Sequence, residues 1–176
     1  MASLILTSKS SIEDLQKNGG GKATNLARLA QTGVNVPPWF CISSNAFSEF
    51  IEQFKNVDLW SHTHAEVEAL FLTGPIHSDL IKEIENLLKS DFPNETTFAV
   101  RSSGIGEDSE DHSFAGQFSS YLHQTNLDQV LKSLKMCWAS SFTERARSYR
   151  SERKISVQKF SMGVVIQKMV FADVAG

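Results

Sequence analysis

The 176-residue sequence contains two cysteines, four prolines and two tyrosines, and it has no long apolar run. Cys41 and Cys137 lie far apart among apolar and aromatic neighbours, which predicts reduced core thiols and argues against a disulfide framework or a metal site. No run approaches the roughly 20 apolar residues of a membrane helix. The N-terminal MASLILTSKSS has too short an apolar centre for a secretory signal. These absences predict a cytoplasmic protein with no membrane partner.

The sequence also lacks an excess of positive charge. Its formal net charge is -3, which argues against a general nucleic-acid partner. A basic cluster is nevertheless present, and such runs are typical of the solvent-facing side of a helix: Arg145, Arg147, Arg150, Arg153 and Lys154. With 41% hydrophobic and 21% charged residues, the chain is long enough and apolar enough for one domain with a core.

Local patterns predict an α+β fold with a mixed, mainly antiparallel sheet and flanking helices. Apolar and β-branched runs predict strands at 3–7, 36–42, 97–101, 117–123 and 161–170. We expect 97–101 and 117–123 to pair antiparallel, and the last strand to be central. Apolar residues at helical spacing predict helices that include 22–30, 47–54, 76–88, 127–138 and 142–150.

Two further expectations concern the helices. In the first long helix, Leu26, Leu29 and Ala30 repeat at helical spacing, and Gly33 is placed to end it. The triplet His62-Thr63-His64 with Glu66 could suggest a metal site. Because no further ligand follows at a recognisable spacing, an exposed loop entering a helix is the favoured interpretation.

The stretch FAVRSSGIGEDSEDHSFAGQFSSY, residues 98–121, carries the strongest chemical signal. It begins as an apolar strand that ends in Arg101 beside the hydroxyls of Ser102 and Ser103. A guanidinium beside hydroxyls and accessible backbone amides suits a multiply charged oxyanion. The pattern therefore predicts a phosphate site, and the alternative is a solvated or salt-bridged surface arginine. Ser109 breaks the GxGxxG pattern that Gly104 begins, so the dinucleotide fingerprint is absent.

A second anion-binding candidate is Lys22, which follows three glycines at a predicted helix entrance. Free amides and the positive end of the helix dipole favour an anion at such a place. Gln16 and Ala23 stand where a Walker A loop needs glycine and a hydroxyl residue, so this is not a Walker A loop. The local pattern is equally compatible with a glycine turn beside a solvated lysine.

Together the motifs resemble those of a known family. The blocks that carry the resemblance are, in order, GGGKATNLARLAQTGVNVPPWFCIS, FAVRSSGIGEDSEDHSFAGQFSSYL, MCWASSFTERARSYR and MGVVIQKMVFADVAG. They are similar to the nucleotide-binding N-terminal region of phosphoenolpyruvate synthases, pyruvate phosphate dikinases and rifamycin phosphotransferases. The resemblance implies an ATP-grasp-type fold, in which two subdomains clamp ATP. It also implies an ATP-dependent phosphotransferase that passes phosphoryl from ATP to a histidine carrier and then to pyruvate. A rifamycin-type antibiotic phosphotransferase and a nucleotide-binding module without catalysis are the alternatives.

The resemblance also implies roles for particular residues. In the family, the lysine and arginine of the matching blocks contact the nucleotide phosphates, which favours the functional interpretation of Lys22 and Arg101. The other implied nucleotide contacts are a glycine loop over the triphosphate, a hydroxyl near the phosphates, and a strand edge that binds adenine through backbone groups. They fall on Gly116 and Gln117, on Ser120, and on Gln167, Met169 and Val170.

The chain departs from a complete enzyme of this family. Residues 1–176 are expected to form the first part of the ATP-binding domain, without the second subdomain, the phosphohistidine domain or the acceptor domain. The carboxylates for Mg²⁺ are expected outside this chain, so it should not turn over ATP alone. Its partners would then be ATP, pyruvate or another acceptor, and the remaining domains, and an exposed half-domain face is compatible with a homo-oligomer. Glu107 and Asp108 are expected to make loop hydrogen bonds.

Overall fold

A computed structural model describes residues 3–92, 97–105, 119–153 and 162–171, with side chains described in the last helix up to residue 148. One five-stranded antiparallel sheet has the order β1-β2-β5-β3-β4. The strands are β1 (Ile5–Thr7), β2 (Trp39–Ile42), β3 (Phe98–Gly104), β4 (Ser120–Gln124) and β5 (Met162–Lys168). The predicted α+β class, the antiparallel pairing of β3 with β4 and the central position of β5 are confirmed.

The helices lie on both faces of this sheet. They are α1 (Ile12–Asp14), continued by a π-helical segment (Leu15–Gly19), α2 (Gly20–Gln31), α3 (Ser44–Glu52), α4 (His64–Thr73), α5 (Ser78–Ser90), α6 (Leu127–Ala139) with a 3₁₀ turn (Ser140–Phe142), and α7 (Glu144–Arg153). Every predicted helix is present, with shifted ends. Among these described helices, none combines the length and the apolar character needed to cross a bilayer.

Strand β5 shows how the core is divided, because side chains alternate between the two faces of a strand. Met162, Val164 and Ile166 are buried in the larger core with the apolar residues of α3–α6. Val165 is buried on the opposite face, in a smaller core with Ala23 of α2 and other residues of β1, β2 and the N-terminal helices. The sheet is therefore a central layer, and α2 covers one end of its second face.

Helix α2 contacts the sheet through smaller side chains than predicted. Leu29 is 47% exposed and Ala30 is also exposed, so the expected apolar face is wrong at these positions. Ala23 and Ala27 are buried instead. Short side chains allow the helix axis to lie close to the strands. The prediction that Gly33 ends α2 is confirmed, since Gly33 has a φ of 84° just beyond the helix.

Both cysteines are free and buried, as predicted. Burial raises the pKa of Cys41 to about 12, and it also raises the pKa of Cys137. The charged thiolate is disfavoured in both places. Cys41 and Cys137 are consequently core residues without nucleophilic chemistry at neutral pH.

The segment around His62 is a helix cap. Thr63 Oγ1 accepts the N–H of Glu66 at 3.3 Å, and Glu66 Oε2 accepts the N–H of Thr63 at 2.7 Å, which is a capping box. The donated Thr63 N–H lowers the pKa of the Glu66 carboxyl. The prediction of a loop entering a helix is confirmed. Within the described ranges, no group of three or more His, Cys, Asp and Glu side chains could hold a metal ion.

The prediction that the basic cluster faces solvent is wrong for Arg147. Its guanidinium Nε donates to the carbonyl of Phe142 at 2.9 Å, and its terminal nitrogens donate to the carbonyls of Leu59, Trp60 and His62. The guanidinium carbon lies 5.7 Å from the centre of the Trp60 ring. Arg147 therefore joins the irregular segment 59–62 to the start of α7.

We expect both Arg147→Ala and Arg147→Lys to lower the free energy of unfolding by about 2–3 kcal/mol, because several partly buried carbonyls lose a charged donor. Lysine does not substitute, since an ammonium lacks the planar fork that reaches several carbonyls at once. Urea denaturation measures both variants. Arg28→Ala, at an exposed arginine of α2, is the control and should change stability by about 0.5 kcal/mol or less. Full rescue by lysine would contradict the role of the guanidinium geometry.

Candidate functional site

Arg101 lies in the middle of β3 and not at a strand end as predicted, because β3 continues to Gly104. It is opposite Val165 of β5 and Ser120 of β4, and its side chain is half-buried. Its Nη1 donates to Gln167 Oε1 at 3.2 Å, and Gln167 is itself only 9% exposed. The guanidinium is thus oriented on the second sheet face by a neighbouring strand.

The partner of Arg101 is a neutral amide. Among the residues that the structure describes, Arg101 forms no ion pair. A neutral acceptor fixes the direction of the guanidinium without neutralising its charge. A half-buried cation held in this way can bind an incoming anion more strongly than a cation in open solvent. The alternative of a salt-bridged surface arginine has no support among the described residues.

Lys22 lies in the first turn of α2, as predicted, but the amides at this helix start are not free. The N–H of Lys22 donates to Ser103 Oγ at 3.1 Å, and the N–H of Ala23 lies 3.4 Å from the same oxygen. Ser103 is in β3, two residues beyond Arg101, and its side chain is 0% exposed. The expectation that these amides receive an anion is wrong, because both already lie within hydrogen-bond distance of Ser103 Oγ.

The glycines before Lys22 allow a close approach of backbones. Gly20 has a φ of 81°, and a Cβ there would lie 2.4 Å from the carbonyl oxygen of Ser103. In β5, a Cβ at Gly163 would lie 2.3 Å from the carbonyl oxygen of Gly19. Only residues without a side chain permit both contacts. The start of α2 therefore lies directly on β3 and β5, which brings Lys22 to the same sheet face as Arg101.

The two serines after Arg101 are structural in the observed arrangement. Ser102 is 1% exposed, and its N–H and its Oγ both donate to the carbonyl of Ser119, at 3.2 and 2.9 Å. Ser103 is bonded to α2. Neither hydroxyl is exposed to a ligand, contrary to the sequence-based interpretation. Ser120, by contrast, is exposed and directly opposite Arg101 in the register of β3 and β4, which places its side chain on the Arg101 face.

The predicted adenine-binding edge follows β5. Gln167 is buried beside Arg101, whereas Val170 is 64% exposed. The N–H of Met169 donates to the carbonyl of Thr97 at 2.9 Å, and Met169 Sδ lies 3.1 Å from the N–H of His123. The amide N–H of Met169 is therefore already bonded within the protein. Gly116 and Gln117 lie outside the described residues, as do Glu107 and Asp108.

Sequence reasoning missed the residues that assemble this site. The sequence pattern favours Ser103 as part of a phosphate site, and it indicates Gly163 only as one residue of a β-prone run. The alternation along β3 contained a usable signal, since Arg101 and Ser103 are two residues apart and must share a face. No local pattern indicated that α2 would lie on that face.

The geometry thus places a lysine and an arginine on one face of a five-stranded antiparallel sheet. Comparison with known proteins shows the class of this domain. Residues 17–176 match the family model described as the pyruvate phosphate dikinase AMP/ATP-binding domain. The chain belongs to this family of ATP-binding domains, which confirms the resemblance recognised in the sequence.

Several relatives carry the same region within longer chains. The prodigiosin synthesizing transferase PigC of Serratia marcescens is 38% identical over 89% of this chain and 17% of its own length. A rifampicin phosphotransferase of Bacillus subtilis is 31% identical over 100% of this chain and 22% of its own. A probable phosphoenolpyruvate synthase of Staphylothermus marinus is 33% identical over 89% and 21%. The chain therefore spans about a fifth of the length of these relatives.

Proposed function

We propose that this chain is the ATP-binding part of a phosphotransferase of ATP-grasp type, in which Lys22 and Arg101 bind the phosphates of ATP. The reaction is phosphoryl transfer from ATP to a histidine carrier on another domain and then to an acceptor, with pyruvate as the first candidate. Residues 1–176 are, in this proposal, the first part of the nucleotide-binding region.

The observation that carries the proposal is the environment of Arg101. A half-buried guanidinium oriented by Gln167 at 3.2 Å is prepared to receive an anion, because its direction is fixed before the ligand arrives. In phosphoryl transfer, the protein mainly positions the phosphates and stabilises the charge on their oxygens. A fixed planar donor on a rigid strand meets this requirement.

Lys22 is the second positive group. Its backbone is bonded to Ser103, which is one strand repeat, or about 7 Å, from Arg101. Because the backbone of Lys22 is bonded to the residue two positions after Arg101, the two side chains are proposed to contact different phosphates of one triphosphate. Ser120 is opposite Arg101 and supplies an exposed hydroxyl to the same face.

The base of the nucleotide is proposed to lie toward the end of β5. Gln167 connects the two regions, because it contacts Arg101 and lies two residues before Met169. In this proposal the Met169 carbonyl and the exposed Val170 contact adenine, and Gly116 and Gln117 cover the triphosphate. Mg²⁺ neutralises phosphate charge when it is bound. The ligands of Mg²⁺ are proposed to lie outside this chain.

The two candidate functions differ in the molecule that finally accepts the phosphoryl group. A probable phosphoenolpyruvate synthase and a rifampicin phosphotransferase are related to this chain at 33% and 31% identity. The ATP-binding region is common to both, so the residues described here do not select between pyruvate and a drug hydroxyl. Rifamycin phosphotransfer is therefore the second candidate.

Calorimetric titration tests the nucleotide site. We expect ATP with Mg²⁺ to bind the chain at least about tenfold more tightly than AMP, because Lys22 and Arg101 make charge-assisted contacts to phosphates that AMP lacks. Adenosine is the control and should bind no more tightly than AMP. Equal affinity for ATP and AMP would contradict the assignment of Lys22 and Arg101 to the phosphates.

Assays of AMP production and of the phosphorylated product test catalysis and the acceptor. We expect no steady AMP production by residues 1–176 alone, and its appearance would contradict the proposal that further domains are needed. In the protein as its gene encodes it, ³¹P NMR after addition of ATP and either pyruvate or rifampicin identifies the phosphorylated product. A phosphorylated drug in place of phosphoenolpyruvate would establish the second candidate.

A further inference from the structure

Ser103 caps α2 from a strand, although it is distant from the helix in sequence. The residue before the helix, Gly19, has no side chain with which to cap it. The N–H groups of Lys22 and Ala23 belong to the first turn, where backbone N–H groups commonly need a partner from outside the helix. Ser103 Oγ accepts them at 3.1 and 3.4 Å. The side chain of one β3 residue thus accepts hydrogen bonds from backbone N–H groups at the start of α2.

This bond also fixes which part of α2 lies beside Arg101. The contacts of Gly20 and Gly163 bring the helix close to the strands, but close packing alone does not set a direction. A hydrogen bond is directional, and here it holds the backbone of Lys22 itself. Arg101 and Ser103 are on one face of the same rigid strand, so the hydroxyl links the positions of the two cations.

On the basis of the proposed phosphate-binding role of Lys22, we infer that Ser103 is a positioning residue of the nucleotide site and acts through Lys22. Its hydroxyl holds the first turn of α2 against β3, so that the Lys22 ammonium and the Arg101 guanidinium act on the same triphosphate. Ser103 itself does not touch the nucleotide.

Two other roles for Ser103 predict different behaviour. Direct contact with phosphate is opposed by its 0% exposure and by the two amides that its oxygen already accepts. A purely structural cap would contribute to the stability of the fold and leave the ATP affinity of the folded protein unchanged. Only positioning through Lys22 couples the two residues energetically.

A double-mutant cycle measures this coupling. The variants are Ser103→Ala, Lys22→Met, their combination, and Ser103→Ala in an Arg101→Ala background. The matched control is Ser140→Ala. Ser140 is 1% exposed, and its Oγ donates to the carbonyl of Cys137 at 2.6 Å, at the end of α6 in the larger core. ATP affinity is measured by calorimetry at a temperature at which thermal unfolding shows every variant to be folded.

We expect Ser103→Ala to weaken ATP binding about tenfold, the order of a lost contact to a charged group. In the Lys22→Met background, the same change should have an effect of less than about twofold, because the side chain through which it acts is gone. In the Arg101→Ala background the effect should persist. Ser140→Ala should lower thermal stability and leave ATP affinity within about twofold.

The outcomes separate this inference from the proposed function. If Lys22→Met weakens ATP binding but Ser103→Ala does not, or if the two effects simply add, the positioning role is overturned and the phosphate role of Lys22 stands. If Lys22→Met itself leaves ATP binding unchanged, the proposed function fails as well. Should Ser103→Ala not fold, Ser103→Cys fills a similar space with a weaker acceptor. An unchanged ATP affinity in Ser103→Cys would then overturn the inference.

Discussion

Replacing Arg101 with alanine is expected to remove about 2–4 kcal/mol of phosphate stabilisation, by analogy with the loss of one preorganised donor from a site where charge develops. The structural reason is that Gln167 holds the guanidinium at 3.2 Å before a ligand binds. ATP affinity of the chain and the rate of phosphoryl transfer by the encoded protein measure the effect. Arg101→Lys should recover only part of the loss, because an ammonium cannot form the planar two-point contact of a guanidinium.

The control for this prediction is Arg28→Ala, which removes the same charge from an exposed position in α2. It should change ATP affinity by less than about twofold, since distant surface charges are screened in physiological salt. If the Arg101→Ala variant keeps its fold, its ATP affinity and its rate of phosphoryl transfer, Arg101 does not bind the phosphates of ATP. Thermal unfolding of both variants shows whether any loss of binding follows from loss of folded protein.

Gly20→Ala is expected to cost about 3 kcal/mol or more of stability and to abolish ATP binding. Gly20 has φ 81° and ψ 178°, a backbone conformation that is essentially restricted to glycine. A Cβ would also lie 2.4 Å from the carbonyl oxygen of Ser103 and 2.7 Å from that of Gly104. Both oxygens belong to the backbone of β3, so the start of α2 would have to move away from the sheet, together with Lys22.

Gly33→Ala is the matched control, because Gly33 also has a positive φ, 84°, but a Cβ there meets no atom within 4 Å. The Gly33→Ala variant should lose about 1–2 kcal/mol of stability, which is the cost of a left-handed backbone conformation for a residue with a Cβ. Its ATP affinity should not change. Urea denaturation and calorimetry with ATP measure the two variants in parallel. Equal stability losses at the two glycines would show that the contact between α2 and β3 is not close in solution.

The elements themselves could be predicted from local patterns, and the reasons are physical. The β-branched run around Val164–Ile166 predicted a central strand, and the irregular order of strands and helices suggested antiparallel pairing of 97–101 with 117–123. Gly33 marked the end of α2, since a positive φ favours glycine. The exposed Leu29 was misassigned because helical spacing identifies a possible apolar face but not the distance between the helix and the sheet.

The site was only partly predictable. Arg101 and Lys22 were recognised by residue type, neighbouring glycines and family resemblance, and all of these are properties of the sequence. Ser103 was given the wrong role, since its partner on Lys22 is 81 residues away along the chain. Arg147 was misassigned for a similar reason, because the carbonyls that it binds belong to a distant irregular segment.

The sequence by itself determined the class of fold, the family of ATP-binding domains and the two cationic residues proposed to bind phosphate. These depend on periodicity, turn residues and motifs, which are encoded locally. Only the tertiary structure decided that the amides of Lys22 and Ala23 are occupied by Ser103, that Arg101 is held by a neutral glutamine, and that Gly20 and Gly163 allow α2 to lie on the sheet. Hydrogen bonds and close backbone contacts depend on distances between segments that are remote in sequence, and those distances are set when the chain folds.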